Sequence, residues 1–367
     1  MGVLEDKFGV PPFSILDTKQ KYWTDRKKEW LSVGIDSELG RNALSIKTQE
    51  WVNKKELTGL ASKQSGVSIF DPVLCELLYK WFCPPRGKIL DPFAGGSVRG
   101  IVASVFGYIY TGVDLRQEQI EANNKNIEKL SINLPIKPKW ICGDSVNIDS
   151  IGGRYDMIMS CPPYHDLEKY SENPNDLSNM DYDTFIKKYR EIIKKSTSML
   201  NDNRFAVFVV GEIRDKKGFY KNFVGDTIQA FLDAGMMFYN DMIIYNQFGS
   251  LPIRVSGQFL SNRKIGKVHQ NVLVFYKGDV KMIKPMDIEA NKFIPINEIK
   301  IELPVETVKE ETDKVIEQLT DKVENKVNEV EKEIKETKTI CNLCGADFNG
   351  MTYEEHEKRP FHQDRLN

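Results

Sequence analysis

No apolar run in this sequence approaches the roughly 18 residues that a bilayer-spanning helix needs. The N-terminus also lacks the basic, apolar and small-residue order of a secretion signal, so a soluble, intracellular protein is expected. Charge of one sign is missing too. With 51 Lys and Arg against 53 Asp and Glu, the net charge of -2 excludes a uniformly basic nucleic-acid binder and confines any such role to local segments. Cysteine is sparse, six in 367 residues, and Cys75, Cys83, Cys142 and Cys161 stand apart in apolar contexts, as reduced buried thiols do. Histidine is scarcer still. Of the four, His165, His269, His356 and His362, the last two fall beside the remaining cysteines, Cys341 and Cys344.

What is present is an alternation. Short apolar runs at 88–91, 108–114, 140–142, 156–160, 205–210, 242–245 and 272–276 are separated by helical periods at 72–82, 97–106, 116–130, 182–200 and 222–234. Strand and helix in turn predict an α/β fold, a mostly parallel, doubly wound sheet of about seven strands. Four segments follow: 1–66 as an N-terminal accessory segment, 67–278 as the main domain, 279–338 as a linker and charged helix, and 339–367 as a separate module. In the first, Trp23, Lys27 and Trp30 share a helical face, which reads either as a nucleic-acid contact or as tryptophans docked on the core, the latter preferred. Residues 41–66 have no clear period and read as a surface insertion.

Open α/β sheets place ligands at the carboxyl ends of their strands. Strand 88–91 ends there in Asp91-Pro92-Phe93-Ala94-Gly95-Gly96-Ser97, a glycine turn that lets backbone approach a ligand closely before a helix opens. The next strand ends in Asp114-Leu115, an acidic residue about 20 positions on that is placed to accept ribose hydroxyls, and the third ends in Gly143-Asp144-Ser145. Asp91 would repel a dinucleotide's pyrophosphate but attract the ammonium and sulfonium of S-adenosylmethionine, which makes that cofactor the expectation. Strand 156–160 then runs into Ser160-Cys161-Pro162-Pro163-Tyr164. Two prolines stiffen this turn and remove two amide donors, so it offers acceptors, with an aromatic beside them.

Phe70-Asp71-Pro72, Ile89 through Gly96, and Cys161-Pro162-Pro163-Tyr164 together resemble the signature of DNA amino-methyltransferases, which methylate N6 of adenine or N4 of cytosine. The likeness covers about 67–277. The stretches Pro11 to Arg41, Phe70 to Val102 and Ser160 to Glu212 also resemble phage-borne members. The resemblance implies a Rossmann-like methyltransferase sheet, double-stranded DNA as partner, and a cytoplasmic setting in a bacterial host with a phage origin. It assigns Phe70, Asp71 and the Asp91 to Ser97 turn to the cofactor, and the Pro-Pro-Tyr turn to the target base. Pro162 is expected to offer its carbonyl to one amine N–H, and Tyr164 to stack on a base rotated out of the duplex. Family members supply a second acceptor as Asp, Asn or Ser at the position held here by Cys161. A thiol accepts weakly, so Ser160 or an ordered water is the alternative. Cysteine is closest to serine in size, the residue typical of N4-cytosine enzymes, which gives cytosine a narrow preference. Covalent C5 chemistry through the thiol is disfavoured, because its cysteine follows a proline rather than preceding two. A methyltransferase fold that binds DNA without turnover, or one that acts on RNA, is the competing reading.

Two further stretches hold candidate DNA-contacting cations, Lys216 and Lys217 after Arg214, and Arg254, Arg263, Lys264 and Lys267. Residues 305–338 carry one narrow apolar stripe, suited to a spacer helix or to self-association or a protein partner. Beyond it, Cys341-x2-Cys344, eleven residues and His356-x5-His362 lie within one residue of the usual Cys2His2 spacing, so these four side chains are the expected zinc ligands of a zinc-finger-like tail.

Overall fold

The computed structural model describes residues 2–35, 70–165, 170–246 and 251–299, apart from the side chains at 254, 289 and 290. The chain forms two compact units, Met1–Ile301 and Glu302–Asn367, and every described residue belongs to the first. The charged helix at 305–338 and the four expected zinc ligands therefore lie outside the described residues.

Its elements alternate as the sequence predicts. In chain order they are α1 (Val3–Phe8), β1 (Ile15–Asp17), α2 (Lys21–Ser32), α3 (Pro72–Phe82), β2 (Lys88–Asp91), α4 (Val98–Val105), β3 (Ile109–Asp114), α5 (Gln117–Glu128), β4 (Lys139–Cys142) and β5 (Tyr155–Ser160). There follow α6 (Tyr182–Met199), β6 (Leu200–Val210), α7 (Phe223–Asp233), β7 (Met237–Tyr245), α8 (Leu251–Asn262) and β8 (His269–Lys277). The strands make one eight-stranded sheet in the order β1-β7-β8-β6-β5-β2-β3-β4. Strand β8 alone runs antiparallel, to both β6 and β7, and the rest pair in parallel. This reversed strand separates the sheet from the all-parallel dinucleotide-binding order.

A sheet covered on both faces needs strands that are apolar on both sides. Strand β6 provides them: Val207 and Val209 enter the core beneath α3 and α4, and Ala206, Phe208 and Val210 enter the one beneath α6 and α7. Helix α3 starts where Asp71 caps it, accepting from the amides of Val73 and Leu74, with Pro72 in the first turn where no amide is required. Helix α6 starts in the same way, with the Asp181 carboxylate accepting from Thr184.

Two expectations change. The described part of the N-terminal segment, residues 2–35, is built into the sheet and core: β1 pairs with β7, Ile15 opposite Ile243, and Trp23 and Trp30 are fully buried in the core against α3. Core docking is thus what holds the tryptophans. The tether expected from 279 onward packs instead, as far as residue 299. Ile296 is buried, Lys80 donates to the carbonyl of Lys292 and Arg26 to that of Ile294. Pro285 and Pro295 in a charged stretch read as a spacer, but the intervening apolar residues have a surface to cover.

Candidate active site

The carboxyl edges of β2, β3, β4 and β5 line up Asp91, Asp114, Asp144 and Ser160. Asp91 is fully buried, and its carboxylate is answered on all sides. Arg99 Nε donates to it at 2.5 Å, Tyr110 Oη at 2.7 Å, Ser160 Oγ at 2.5 Å and the Phe93 amide at 3.1 Å. Arg99 reaches it from the first turn of α4 and also donates to the carbonyls of Phe93 and Ala94, clamping the glycine turn from below. The charge expected to draw a cationic ligand to Asp91 is therefore spent on Arg99, and Asp91 stands behind the cavity wall rather than on it. Ser160 shares this fate: its hydroxyl is buried on Asp91 and is withdrawn as a stand-in acceptor for Cys161.

The turn itself is shaped for close approach. Gly95 has φ +51 and nothing within 4 Å of where a Cβ would stand. Its amide donates to Asp114 Oδ2 at 3.0 Å, and its carbonyl accepts from Asn123. Gly112 is required for a different reason, since a Cβ there would meet that of Ala94 at 2.7 Å. Asp114 takes the Arg116 amide on its other oxygen, and burial raises its pKa above the ordinary carboxylate value. Ser145 Oγ donates to the Pro92 carbonyl and Asp144 caps the segment after β4, so the second and third strand ends are tied to the first.

A cavity of about 500 Å³ opens over this edge. Of the residues singled out in the sequence, Phe70, Asp71, Pro92, Phe93, Gly95, Asp114, Leu115, Asp144 and Ser145 line it, and so do Cys161, Pro162, Pro163 and Tyr164. Ala94, Gly96 and Ser97 are buried behind it, the Ser97 hydroxyl donating to Asn126. Sequence reasoning does not reach the wall contributed by Lys27, Arg99, Arg116, Asn246 and Gln270, most of which lie far from the two motifs.

At the Pro-Pro-Tyr turn, Cys161 Sγ lies 3.5 Å from the Tyr164 hydroxyl. That hydroxyl accepts from Gln270 Nε2 at 2.7 Å, and the ring meets Phe223 edge-on at 6.2 Å. Burial, then the neighbouring Cys161, push the phenol pKa well up, so the hydroxyl is neutral. His165 adopts φ 47 and is buried between the rings of Tyr182 and Phe185, with Nε2 2.9 Å from the Met180 carbonyl; it closes the turn from behind.

Two basic loops follow β6 and precede β8. Residues 213–221 form a tight hairpin, with Arg214 bridged to Tyr220 and its guanidinium 3.8 Å over that ring, leaving Phe219 70% exposed at the tip beside Lys216 and Lys217. Lys264 packs on Gly218 of this hairpin, which brings the second loop to the first. Helix α8, which the sequence hid, exposes Ile253, Phe259 and Leu260. Arg263 folds back on the Phe259 and Leu260 carbonyls, and Lys267 has its pKa lowered by burial. The Arg254 side chain lies outside the described residues. Among the described residues no three potential metal ligands cluster, and no helix is long and apolar enough to cross a membrane.

No family model matches the chain, and no curated protein is similar to it. Solved structures are similar to it in fold alone. TrmN from Thermus thermophilus shares 14% identity at a TM-score of 0.39, over 57% of this chain and 49% of its own. The chain thus spans about half the length of that protein. A magnesium protoporphyrin IX methyltransferase from Synechocystis PCC 6803, solved with bound SAM, shares 10% identity over 68% of this chain and 90% of its own, at a TM-score of 0.36. A provisionally assigned DNA modification methylase, also from Thermus thermophilus, shares 16% identity over 39% of this chain and 53% of its own, at a TM-score of 0.29.

Proposed function

We propose that this protein transfers a methyl group from S-adenosylmethionine to an exocyclic amino group of a base in double-stranded DNA, N4 of cytosine in preference to N6 of adenine. The observation that carries the reading is that one cavity of about 500 Å³ is walled both by the glycine turn with Asp114 and Asp144 and by the Pro162-Pro163-Tyr164 turn. That volume falls within the range of small-molecule sites. Donor and target would therefore meet in a single space, as direct transfer demands.

The walls suit this cofactor. Asp114 keeps one lone pair of each oxygen for ribose hydroxyls, Asp144 stands at the adenine end, and the open Gly95 position admits a ligand against the backbone. The cofactor, when bound, supplies an electrophilic methyl group. The chain's part is to ready the amine, whose lone pair is delocalised into the base ring. With no amide on either proline, the Pro162 carbonyl is the group suited to accept one amine N–H and turn the lone pair toward the donor. Tyr164, held by Gln270, offers a ring for stacking. The exposed Phe219, Tyr220, Phe259 and neighbouring lysines supply the aromatic and cationic mixture that nucleic acid binds.

Incubation with methyl-labelled S-adenosylmethionine and duplex DNA, digestion to nucleosides and mass identification should yield N4-methyldeoxycytidine. Label in N6-methyldeoxyadenosine would move the base assignment, label appearing only with RNA would replace the substrate, and cofactor binding without any labelled nucleoside would leave a binding protein. For the tail we propose zinc at Cys341, Cys344, His356 and His362. Cys341→Ser should abolish one equivalent of bound zinc, measured by elemental analysis, while the first unit keeps its thermal transition.

A further inference from the structure

Helix α2 is fixed to the domain more firmly than an appendage needs to be. Arg26 is buried, and its guanidinium donates twice to the fully buried Glu76, Nε to Oε2 at 2.8 Å and Nη2 to Oε1 at 2.8 Å. Trp30 Nε1 donates to the same carboxylate at 2.8 Å, and Lys80 stands 3.1 Å away. Burial alone would raise the pKa of Glu76, but Lys80 and Arg26 hold it below the ordinary value, so a charged knot ties α2 to α3.

The next residue, Lys27, is carried by that knot to the cavity wall. Its Nζ lies 2.8 Å from Asp71 Oδ2, while Asp71 Oδ1 is engaged as the cap of α3. A cation and an anion thus stand side by side. Strand order fixes the end of the cavity at which they stand. Asp144 and Asp114 follow β4 and β3, and the next strand inward is β2, whose turn is clamped by Arg99. The Arg99 guanidinium lies 4.8 Å from the ring of Phe70, the neighbour of Asp71. Two other cations line the cavity among the described residues, and both are committed: Arg99 to Asp91 and two carbonyls, Arg116 to Gln119 beside Asp114.

Resting on the cofactor reading above, we propose that Lys27 and Asp71 together hold the amino-acid end of S-adenosylmethionine, Lys27 taking its α-carboxylate and Asp71 its α-ammonium. An α-amino acid carries both charges on one carbon, and a Lys–Asp pair presents their complements at hydrogen-bond spacing. Inserting the zwitterion exchanges one partly exposed ion pair, weak by nature, for two charge-assisted hydrogen bonds. Asp71 alone would repel the carboxylate. The N-terminal helix is on this account a wall of the cofactor site, and the buried Arg26–Glu76 pair exists to place Lys27.

Titration calorimetry of the full chain with two probes tests this: S-adenosylhomocysteine, and 5′-methylthioadenosine, which has the nucleoside and sulfur but no amino acid. Lys27→Met should weaken S-adenosylhomocysteine roughly ten- to hundredfold, the range for a hydrogen bond to a charged group, and leave methylthioadenosine unchanged. Lys27→Arg should restore most of the loss. Equal losses for both probes, or none for either, would overturn the role of the lysine while leaving the cofactor reading intact; so would weakened duplex DNA binding with S-adenosylhomocysteine unaffected. Failure of the unaltered protein to bind either probe would bring down both.

Discussion

The two sides of the cavity are built on different principles. On the side of β2, β3 and β4, charge is buried and answered: Asp91 is enclosed by Arg99, Tyr110 and Ser160, and Asp114 by two backbone amides. On the side of the Pro-Pro-Tyr turn and β8, a thiol, a phenol and an amide form a chain from Cys161 through Tyr164 to Gln270. Around Asp91 the first side is an interior network in which each member's loss strands the others, whereas Asp114 is a single carboxylate held by backbone amides. The second is a short chain of side chains at the cavity wall, with Cys161 packed against one core cluster and Tyr164 against the other. A cofactor of fixed structure suits the first arrangement, and a site whose target is open to change suits the second.

Breaking the network should have the largest effect. Asp91→Asn leaves the buried Arg99 guanidinium without its counter-charge, a loss of about 3–5 kcal/mol. For a domain of this size that amounts to a fall in melting temperature of roughly 6–20 °C, measured by calorimetry. An unchanged transition would mean that the two sides do not differ in kind.

Asp114 sharpens the comparison within the first side. Asp114→Asn should fold normally and weaken S-adenosylhomocysteine roughly tenfold or more. Because burial raises the Asp114 pKa above the ordinary carboxylate value, acidification should discharge it before the ordinary aspartates. Binding should then weaken in calorimetric titrations. The stability term has the opposite sign, since a carboxyl with a raised folded pKa stabilises the fold at low pH and loses that contribution as pH rises through the raised value. Affinity and stability moving in the same direction during that acidification would exclude Asp114 as the cause.

The first side is far more legible in the sequence than the second. Its strands end in local signals, and Asp114 and Asp144 can be found because period and strand ends are short-range properties. The role of Asp91 is the exception, because Arg99, eight residues on, reads as a surface cation of a helix until packing turns it inward. On the second side the turn is readable, but Gln270 and Asn246 are not. They reach the cavity through the β7–β8 hairpin, whose pairing with β6 joins residues distant in the chain and leaves no mark on their neighbours. Helix α8 is hidden by Pro252 and Gly257, tolerable in a first turn and on an exposed face respectively, yet both count against a helix in a propensity reading. Strand β1, three residues long, exists only by virtue of β7.

On the second side, effects should fall on turnover rather than stability. Tyr164→Ala removes the proposed stacking ring. Stacking contributes about 1–3 kcal/mol per base, so kcat/KM for DNA methylation should fall roughly five- to 150-fold with S-adenosylhomocysteine affinity unchanged. Tyr164→Phe keeps the ring and gives up the hydroxyl's contacts with Gln270, Val209 and Cys161, and should retain most of the activity. If the two variants were equally impaired, the hydroxyl rather than the ring would be the working part.

Cys161→Ser should change least. The thiol is half-buried and touches the Tyr164 hydroxyl at a sulfur contact distance, and serine is its near match in size, so the exchange should leave the fold intact. A hydroxyl accepts hydrogen bonds better than a thiol. If position 161 serves as the second acceptor for the amine, the serine variant should methylate as fast as the natural protein or faster, measured as labelled nucleoside per unit time. A thiolate nucleophile attacking a base ring makes the contrary demand, because serine cannot replace it and turnover would vanish. The same conservative exchange therefore separates amine methylation from ring methylation, and it does so without disturbing the charged side of the cavity.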